Sequence, residues 1–215
     1  SSPVQVGALT TWSQITAGTN FNLAIKTDGA LWGWGLNGSA QLGLNDTANR
    51  SSPVQVGSLT TWYQVAGGNS FCLSLKTDGT LWVWSTNNVG QLGDNSTSLK
   101  SSPVQTITGG NDWAYVSCGY RHTAAIKKDG TLWLWGSNAT GALGDGTSTN
   151  RSSPVQIASS YNWEKISVGG DSSSGIKIDG TLWLWGQNGF GQLGDETKEH
   201  RSNPVQIATD KNWEY

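Results

Sequence analysis

Several residue types are scarce in this chain, and the scarcity excludes whole classes of chemistry. The 215 residues contain no Met, two Cys and two His. A nucleophile–histidine–acid triad would need His122 or His200, and the sequence carries no motif of zinc peptidases, α/β-hydrolases or phosphate-binding loops. We therefore predict that the protein is not an enzyme, with no catalytic residue, no metal site and no cofactor.

Charge of one sign and long apolar runs are also lacking. The chain has 13 Lys and Arg against 15 Asp and Glu, spread without runs, for a net charge of −2. Nucleic-acid binding proteins usually carry a basic stripe or a strongly basic domain, and a membrane-spanning helix needs about 18 consecutive apolar residues. We predict no nucleic-acid partner and no membrane span. Because no initiator Met is present, we expect a processed chain or a piece of a longer one.

The two cysteines give little information about the compartment. Cys72 and Cys118 lie in strand-like runs without the Cys-x-x-Cys spacing of metal and redox sites. We expect two buried free thiols rather than a disulfide, and this leaves the compartment open.

What the chain does have is a repeat of about 50 residues. Its prolines recur at one position of the repeat: Pro3, Pro53, Pro103, Pro154 and Pro204. Its 13 tryptophans follow the same period in three columns, one of which is Trp12, Trp62, Trp113, Trp163 and Trp213. Such self-similarity is the signature of repeat architectures. We place four repeats at 1–50, 51–100, 101–151 and 152–201, with a partial fifth at 202–215, all in one propeller domain.

Within each repeat the local signals all indicate β-structure. A Pro-Val-Gln run opens the repeat and is typical of an edge strand, because proline cannot donate to a central ladder. An Asp-Gly pair, such as Asp28-Gly29, predicts a tight hairpin. A Leu-Trp-x-Trp run follows it, and the period of two places both tryptophans on one face. We expect the following pairs to pack between neighbouring blades: Trp32 and Trp34, Trp82 and Trp84, Trp133 and Trp135, Trp183 and Trp185.

Charged residues recur in two further columns. A lysine stands two residues before each hairpin Asp, and we expect these lysines to form a solvated ring of charge: Lys26, Lys76, Lys127 and Lys177. Loops such as 94–97 and 145–148 offer oxygen ligands but few carboxylates. Since calcium usually takes several carboxylates, we predict solvated turns there.

Residues 119–144 resemble the regulator of chromosome condensation repeat. The resemblance covers the whole chain, and its most specific part is the Trp-Gly-x-Asn-x-x-Gly-Gln-Leu-Gly run, present without change from Trp185 to Gly194. Departures elsewhere are modest: glycine is replaced by Ala40 and Ser85, and glutamine by Ala142. A family histidine is kept as His122, whereas its counterparts are Phe21, Phe71 and Ser172.

The resemblance implies an all-β fold, a β-propeller of four-stranded antiparallel blades. Propellers of the family usually close with seven blades, so four repeats and the start of a fifth imply an open arc. An open arc exposes two apolar blade faces. Exposed apolar patches as large as a blade face normally mark interaction sites. We therefore expect the remaining blades of a longer chain, or further copies of this one, to complete the propeller.

Columns that differ between repeats are the candidates for partner recognition. We predict that a protein partner contacts the following residues: Asn20, Ser70, Tyr120, Arg121, His122, Asp171 and Phe190. Aromatic and Arg residues are enriched at interface hot spots. The predicted function is a non-enzymatic protein-binding and scaffolding module that uses its rim loops, as family members do.

Two alternatives remain open at the sequence level. Low charge and loops rich in Ser, Thr, Asn and Gly suit a structural surface, adhesive or virion-decorating protein, and favour an extracellular, cell-surface or virion location over a nuclear one. The resemblance also implies a tryptophan-based UV photosensor, since a photoreceptor of the family uses a Gly-Trp-Arg-His-Thr motif. Here Tyr120 replaces the tryptophan of that motif.

Overall fold

The computed structural model describes residues 2, 5–6, 10–107, 110–157 and 162–207, and Pro3 and Trp213 lie outside these ranges. Within them every regular element is a β-strand. Sixteen strands form four antiparallel sheets of four strands, each made of strands consecutive in the chain. The all-β fold predicted from the sequence is confirmed.

The four strands have the same sequence character in every sheet. The first strands begin at the isolated tryptophan: β1 (Trp12–Ala17), β5 (Trp62–Gly67), β9 (Trp113–Cys118) and β13 (Trp163–Val168). The second strands end at the recurrent lysine: β2 (Phe21–Lys26), β6 (Phe71–Lys76), β10 (His122–Lys127) and β14 (Ser172–Lys177). The third strands carry the Trp pairs: β3 (Leu31–Gly35), β7 (Leu81–Ser85), β11 (Leu132–Gly136) and β15 (Leu182–Gly186). The fourth strands contain the prolines: β4 (Arg50–Gln55), β8 (Lys100–Gln105), β12 (Arg151–Gln156) and β16 (Arg201–Ile207). We call these sheets blades 1 to 4.

Each proline-containing strand lies at a sheet edge, as its sequence predicts, but it belongs to the preceding blade. Trp32 of β3 pairs with Gln55 of β4, although Gln55 is in the second sequence repeat. The sheets are therefore offset from the repeats by one strand, and β16, drawn from the partial fifth repeat, completes blade 4. The repeat boundaries themselves stay a prediction.

The Asp-Gly hairpins join the second and third strands and also touch the next blade. In blade 1 the Asp28 carboxylate accepts the Ala30 N–H at 2.9 Å, and Gly29 has φ of +80°. A Cβ on Gly29 would lie 2.2 Å from the Thr60 carbonyl oxygen. Glycine is thus required twice, for the turn and for the close approach of the following blade.

Neighbouring blades pack face to face through two unlike surfaces. One side of each sheet carries the tryptophans and is called the Trp face; the other carries mainly aliphatic residues and is called the Leu face. The Leu face of blade 1, with Leu23 and Leu31, packs on the Trp face of blade 2, with Trp62 and Trp84. The same contact joins blade 2 to blade 3 and blade 3 to blade 4.

The four blades form an open arc, and among the described residues no blade lies against its two outer faces. Ile15 on the Trp face of blade 1 is 70% exposed, whereas its counterparts Val65, Val116 and Ile166 are 6%, 2% and 1% exposed. At the other end, Leu182 and Leu184 on the Leu face of blade 4 are half-buried. The expected open arc is confirmed.

The two cysteines are free thiols, as expected. Cys72 is buried between blades 1 and 2, and Cys118 is partly buried. Burial raises the pKa of the Cys72 thiol well above its usual value, so this thiol is protonated near neutral pH.

Candidate partner-binding surface

One end of the arc is built from two sets of loops, and we call it the loop face. The turns between first and second strands meet the long loops between third and fourth strands, because the chain reverses direction at each strand. Backbone hydrogen bonds join the two sets in every blade. The N–H donates to a backbone carbonyl in each: Leu36 to the Asn20 carbonyl at 2.8 Å, Thr86 to that of Ser70 at 3.1 Å, Ser137 to that of Arg121 at 2.9 Å and Gln187 to that of Asp171 at 2.8 Å. The Asp-Gly hairpins lie at the opposite end.

Most residues predicted to contact a partner lie on the loop face. Asn20 and Arg121 are exposed, Ser70 and Asp171 are half-buried, and Tyr120 is 47% exposed. Each comes from the first turn of a different blade, apart from the neighbours Tyr120 and Arg121. The structure therefore places these residues in a row across one surface, with the aromatic and cationic residues together in blade 3.

The Tyr120–Arg121 turn is held in place by its backbone while its side chains stay accessible. The Tyr120 N–H donates to the Gly169 carbonyl of blade 4 at 3.0 Å. The Arg121 guanidinium carbon lies 5.5 Å from the centre of the Tyr120 ring, within the range of a cation–π contact. The pair presents one flat aromatic ring and one cation from a fixed turn.

His122 does not belong to this accessible surface, which corrects its assignment from sequence. Its ring is fully buried, and its Nε2 lies 3.0 Å from Ser173 Oγ of blade 4. The Ser173 hydroxyl donates its one hydrogen to the Ala142 carbonyl at 2.7 Å, so the His122 Nε2–H is the donor in the pair. Burial lowers the pKa of His122 from 6.5 to about 4. A neutral His122 ties blade 3 to blade 4.

Phe190 lies in the long loop of blade 4 and is 89% exposed. Its counterpart in blade 3, Thr140, donates its hydroxyl to the Asp171 carbonyl of the next blade at 3.1 Å. Its counterpart in blade 1, Ser39, accepts the Ser85 hydroxyl of the next blade at 2.6 Å. Phe190 thus stands where the loop face borders the open Leu face of blade 4.

The long loops are held by buried polar groups that the sequence analysis treated as solvated. In blade 3 the Asn138 amide is fully buried and donates to Asp145 at 3.0 Å, and its carbonyl accepts the Leu143 N–H at 2.9 Å. Asp145 in turn pairs with Arg151 at 2.7 Å. Related sets occur in the other blades around Asn37, Asn87 and Asn188. The prediction of solvated turns is wrong for Asp94 and Asp145, whose side chains are 8% and 5% exposed.

The carboxylates in these loops are held in their charged form. Burial raises the pKa of Asp145, but hydrogen bonds from Thr147 and Arg151 outweigh it, so the pKa lies below its usual value. Hydrogen bonds from the Thr197 hydroxyl and from Arg201 hold the pKa of Asp195 well below its usual range, although burial raises it. Each loop is therefore a rigid support for the surface above it.

The recurrent lysines lie over tryptophan rings of their own blades. The Lys76 ammonium is 3.5 Å from the centre of the Trp82 ring and 4.9 Å from that of Trp62. Lys26, Lys127 and Lys177 lie over the corresponding tryptophans of their blades. Burial lowers the pKa of Lys76. The expected ring of solvated charge is wrong for Lys76, which is 8% exposed. Lys26, Lys127 and Lys177 are half-buried, so for these three it stays a prediction.

Two classes of site are absent from the part of the chain that the structure describes. No three His, Cys, Asp or Glu side chains there lie close enough together to hold a metal ion. Nor do those residues include a helix that is long and apolar enough to cross a membrane.

Comparison with protein families finds one repeat along most of the chain. The sequence model for the regulator of chromosome condensation (RCC1) repeat matches residues 28–75, 78–126, 129–176 and 179–214. A second model of the same repeat matches residues 12–41, 62–91 and 113–142. These matches start at or near the isolated tryptophan or the Asp-Gly hairpin.

Two curated proteins show the same relationship over short stretches. The ultraviolet-B receptor UVR8 of Arabidopsis thaliana is 45% identical over 42 residues, which are 20% of this chain and 10% of that protein. The probable E3 ubiquitin-protein ligase HERC3 of Homo sapiens is 31% identical over 145 residues, which are 67% of this chain and 9% of that protein. The matched stretches thus span about a tenth of each relative.

Solved structures share the fold. Human WBSCR16 superposes with a TM-score of 0.84 at 21% identity, over 96% of this chain and 55% of that one. Prp20p from Saccharomyces cerevisiae superposes with a TM-score of 0.86 at 19% identity, over 97% of this chain and 53% of that one. The four blades correspond to about half of each of these larger chains.

Proposed function

The chain belongs to the regulator of chromosome condensation (RCC1) repeat family, and from this we propose that it is a non-enzymatic module that binds a protein partner through its loop face. The observation that carries the proposal is the Tyr120–Arg121 turn. It combines an exposed ring, an adjacent cation and a fixed backbone. These are the side chains most often found at interface hot spots.

The rest of the loop face supports a binding role. Asn20, Ser70 and Asp171 occupy the same turn in the other blades, so the surface offers a different polar group at each step along the arc. Buried hydrogen bonds beneath the loops hold that surface in one shape. A rigid surface loses little conformational entropy on binding.

The comparisons add support from solved relatives. The structure of Prp20p was described together with its binding to Gsp1p and histones, and yeast RCC1 (Prp20) was solved bound to Kap60. Those proteins show that propellers of this type bind other proteins.

The proposal is tested by affinity capture with matched variants. The double variant Tyr120→Ala, Arg121→Ala is compared with Tyr63→Ala, which removes a 60% exposed tyrosine near the hairpin end of the arc. Proteins captured from an extract of the source organism are quantified by mass spectrometry. We expect the double variant to lose a partner that the wild type and Tyr63→Ala retain. Equal capture by all three would remove the loop face from consideration.

The structural and photosensing alternatives stay predictions. A structural surface or virion role would be supported by finding many copies of the chain in one particle. The same finding would support the extracellular, cell-surface or virion location predicted with that role. A photosensor would change its association state under UV-B light. The stretch that resembles UVR8 covers only 20% of the chain, so we give the protein-binding role first place.

A further inference from the structure

The long loop between the third and fourth strands is closed by a hydrogen bond between its start and its end. In blade 1 the Asn37 backbone N–H donates to Asn49 Oδ1 at 2.8 Å, and in blade 3 the Asn138 N–H donates to Asn150 Oδ1 at 2.8 Å. Asn37 and Asn138 are fully buried. Their N–H groups therefore need an acceptor from the protein, and the amide at the end of the loop provides it.

Blade 4 makes the same closure with a histidine. The Asn188 N–H donates to His200 Nδ1 at 3.0 Å, and Asn188 is fully buried like its counterparts. A ring nitrogen accepts a hydrogen bond only while it carries no proton, whereas an amide oxygen accepts in every protonation state of the protein near neutral pH. His200 is exposed, so protons from solvent reach it.

We propose that His200 is a proton sensor of the loop face, whose protonation opens the 187–200 loop of blade 4 while the loops of blades 1 and 3 stay closed. The charged imidazole carries a hydrogen on both ring nitrogens, so no rotation of the ring restores the acceptor. The Asn188 N–H is then a buried donor without a partner, and the loop opens to let water replace the lost bond. Imidazole changes its charge between about pH 5 and 8, which sets the range in which the sensor acts.

The charged groups around His200 do not oppose a positive charge on its ring. They belong to the loop itself, to the start of β16, to the first turn of blade 4 and to the blade 3 loop, whose Gly146 N–H bonds the Ser202 carbonyl at 2.8 Å. Carboxylates outnumber cations among them, and two of the three cations are paired with carboxylates of their own loops. The groups are Asp145, Arg151, Asp171, Asp195, Glu196, Lys198, Glu199 and Arg201.

The closure supports an exposed part of the loop face. Asn188 also holds the loop through its side chain, which donates to Asp195 at 2.9 Å and accepts the Leu193 N–H at 3.0 Å. Phe190 stands two residues after Asn188 and is 89% exposed. Loosening the chain at Asn188 therefore shifts Phe190, and an effect of that shift on a partner rests on the function proposed above.

Blade 2 shows that the change is local. It has Leu99 at the position of His200, and a leucine side chain offers no acceptor. Its loop is nevertheless held by the buried Asn87 amide, which donates to Asp94 at 2.9 Å. A blade thus forms without the closing bond, so protonation of His200 should open a loop rather than unfold a blade.

The first test follows the amide that loses its acceptor. Hydrogen–deuterium exchange is measured by NMR on the 215-residue chain at about pH 7.5 and about pH 5.5, which lie within the range of imidazole titration. Protection is taken relative to the intrinsic exchange rate at each pH. We expect protection of the Asn188 amide to fall about tenfold at the lower pH, the effect of one lost hydrogen bond, and that of Asn37 and Asn138 to stay the same. Equal protection of Asn188 at both values would overturn the proposal.

The second test removes the sensor and then moves it. His200→Asn supplies the acceptor that blades 1 and 3 already use, so the fold should tolerate it and the Asn188 amide should lose its dependence on pH. Asn150→His should transfer that dependence to the Asn138 amide. His122→Phe changes the other histidine of the chain and should leave the behaviour of Asn188 as it is. The proposal fails if His200→Asn keeps the pH dependence, if Asn150→His does not acquire it, or if His122→Phe abolishes it.

The consequence for binding is measured separately. A loop-face partner captured by the wild type at about pH 7.5 should be captured less at about pH 5.5, the two ends of the same imidazole range, whereas His200→Asn should capture it equally at both. Capture that depends on pH to the same extent in both proteins would refute the link to binding. The exchange measurements need no partner, so they test the sensor even if the loop face binds none.

Discussion

His122 shows at the scale of one residue how a buried group couples stability to pH. It occupies a column in which blades 1 and 2 have Phe21 and Phe71, and it is as fully buried as they are. Its Nδ1 has no hydrogen-bond partner. Protonation would therefore place an uncompensated charge inside the junction between blades 3 and 4.

We predict that His122 makes the protein less stable as the pH falls. Burial lowers its pKa from 6.5 to about 4, so between these values the unfolded chain binds more protons and stability declines toward acid. His122→Phe should flatten the dependence of the melting temperature on pH in this window. Identical pH profiles for wild type and His122→Phe would refute this account.

The two departures from the glycine columns should behave differently when glycine is restored. Ala40 has φ of +58° and Ser85 has φ of +83°. We expect Ala40→Gly to raise the free energy of unfolding by about 1 kcal/mol, because the left-handed conformation is strained for residues with a Cβ. Ser85→Gly should bring no such gain, since the Ser85 hydroxyl donates its one hydrogen to the Ser39 or the Ser70 carbonyl, which lie 2.6 and 2.7 Å from its oxygen. Chemical denaturation of both variants measures the contrast, and a stabilised Ser85→Gly would argue against the role of these bonds.

At this scale the sequence predicted residue types well and environments less well. The tryptophan columns identify the packing positions, but nothing local shows that Lys76 reaches across Trp82. The burial of His122 depends on blade 4, which lies 51 residues away at Ser173. Such contacts follow from the stacking of blades and not from neighbouring residues.

Among the structural elements, the long loop between the third and fourth strands is the one most dependent on a single side chain. The Asn138 Nδ2 has two hydrogens to donate and lies within 3.1 Å of Asp145 Oδ1 and of the Thr147 and Thr149 carbonyls, and the Asn138 amide oxygen accepts the Leu143 N–H. Asn138→Ala would leave several of these buried groups without partners. Each unsatisfied buried group costs on the order of 1–3 kcal/mol.

We expect Asn138→Ala to lower the free energy of unfolding by about 3 kcal/mol, a value of the size that one or two lost buried partners produce. Ser148→Ala, in the exposed part of the same loop, serves as the control and should change it little. Urea denaturation followed by tryptophan fluorescence measures both. A loss below about 1 kcal/mol for Asn138→Ala, the scale of one ordinary hydrogen bond, would show that water replaces the amide.

The sequence predicted the strands but not which sheet each belongs to. Asp-Gly hairpins and Leu-Trp-x-Trp runs identify the second and third strands, which pair locally. The proline run identifies an edge strand, yet both neighbouring sheets have an edge that could receive it. Pairing of Trp32 with Gln55 is settled only when the chain is folded back along the loop between them.

For the whole molecule, the open arc predicts unequal protection of its blades. Blades 2 and 3 are covered on both faces, whereas blades 1 and 4 are covered on one. In repeat proteins stability is roughly a sum of repeat and interface contributions, so the end blades should open more easily. The residues of β6 are all buried, whereas half of those in the equivalent β14 are only partly buried.

We expect amide hydrogens of β6 and β10 to exchange more slowly than those of β2 and β14 in the 215-residue chain. Hydrogen–deuterium exchange with mass spectrometry measures this. Uniform exchange across all four blades at high dilution would mean that the arc opens as a single cooperative unit.

The offset between repeats and sheets also bears on how the chain is made. A blade that leaves the ribosome has three strands of its own, and its fourth is translated only as the next repeat begins. Until then the third strand, with its tryptophan pair, has an unpaired edge, which is a template for wrong pairing. Domains tend to fold in order of synthesis, so we expect each blade of this protein to be completed only when the first residues of the next repeat have been made.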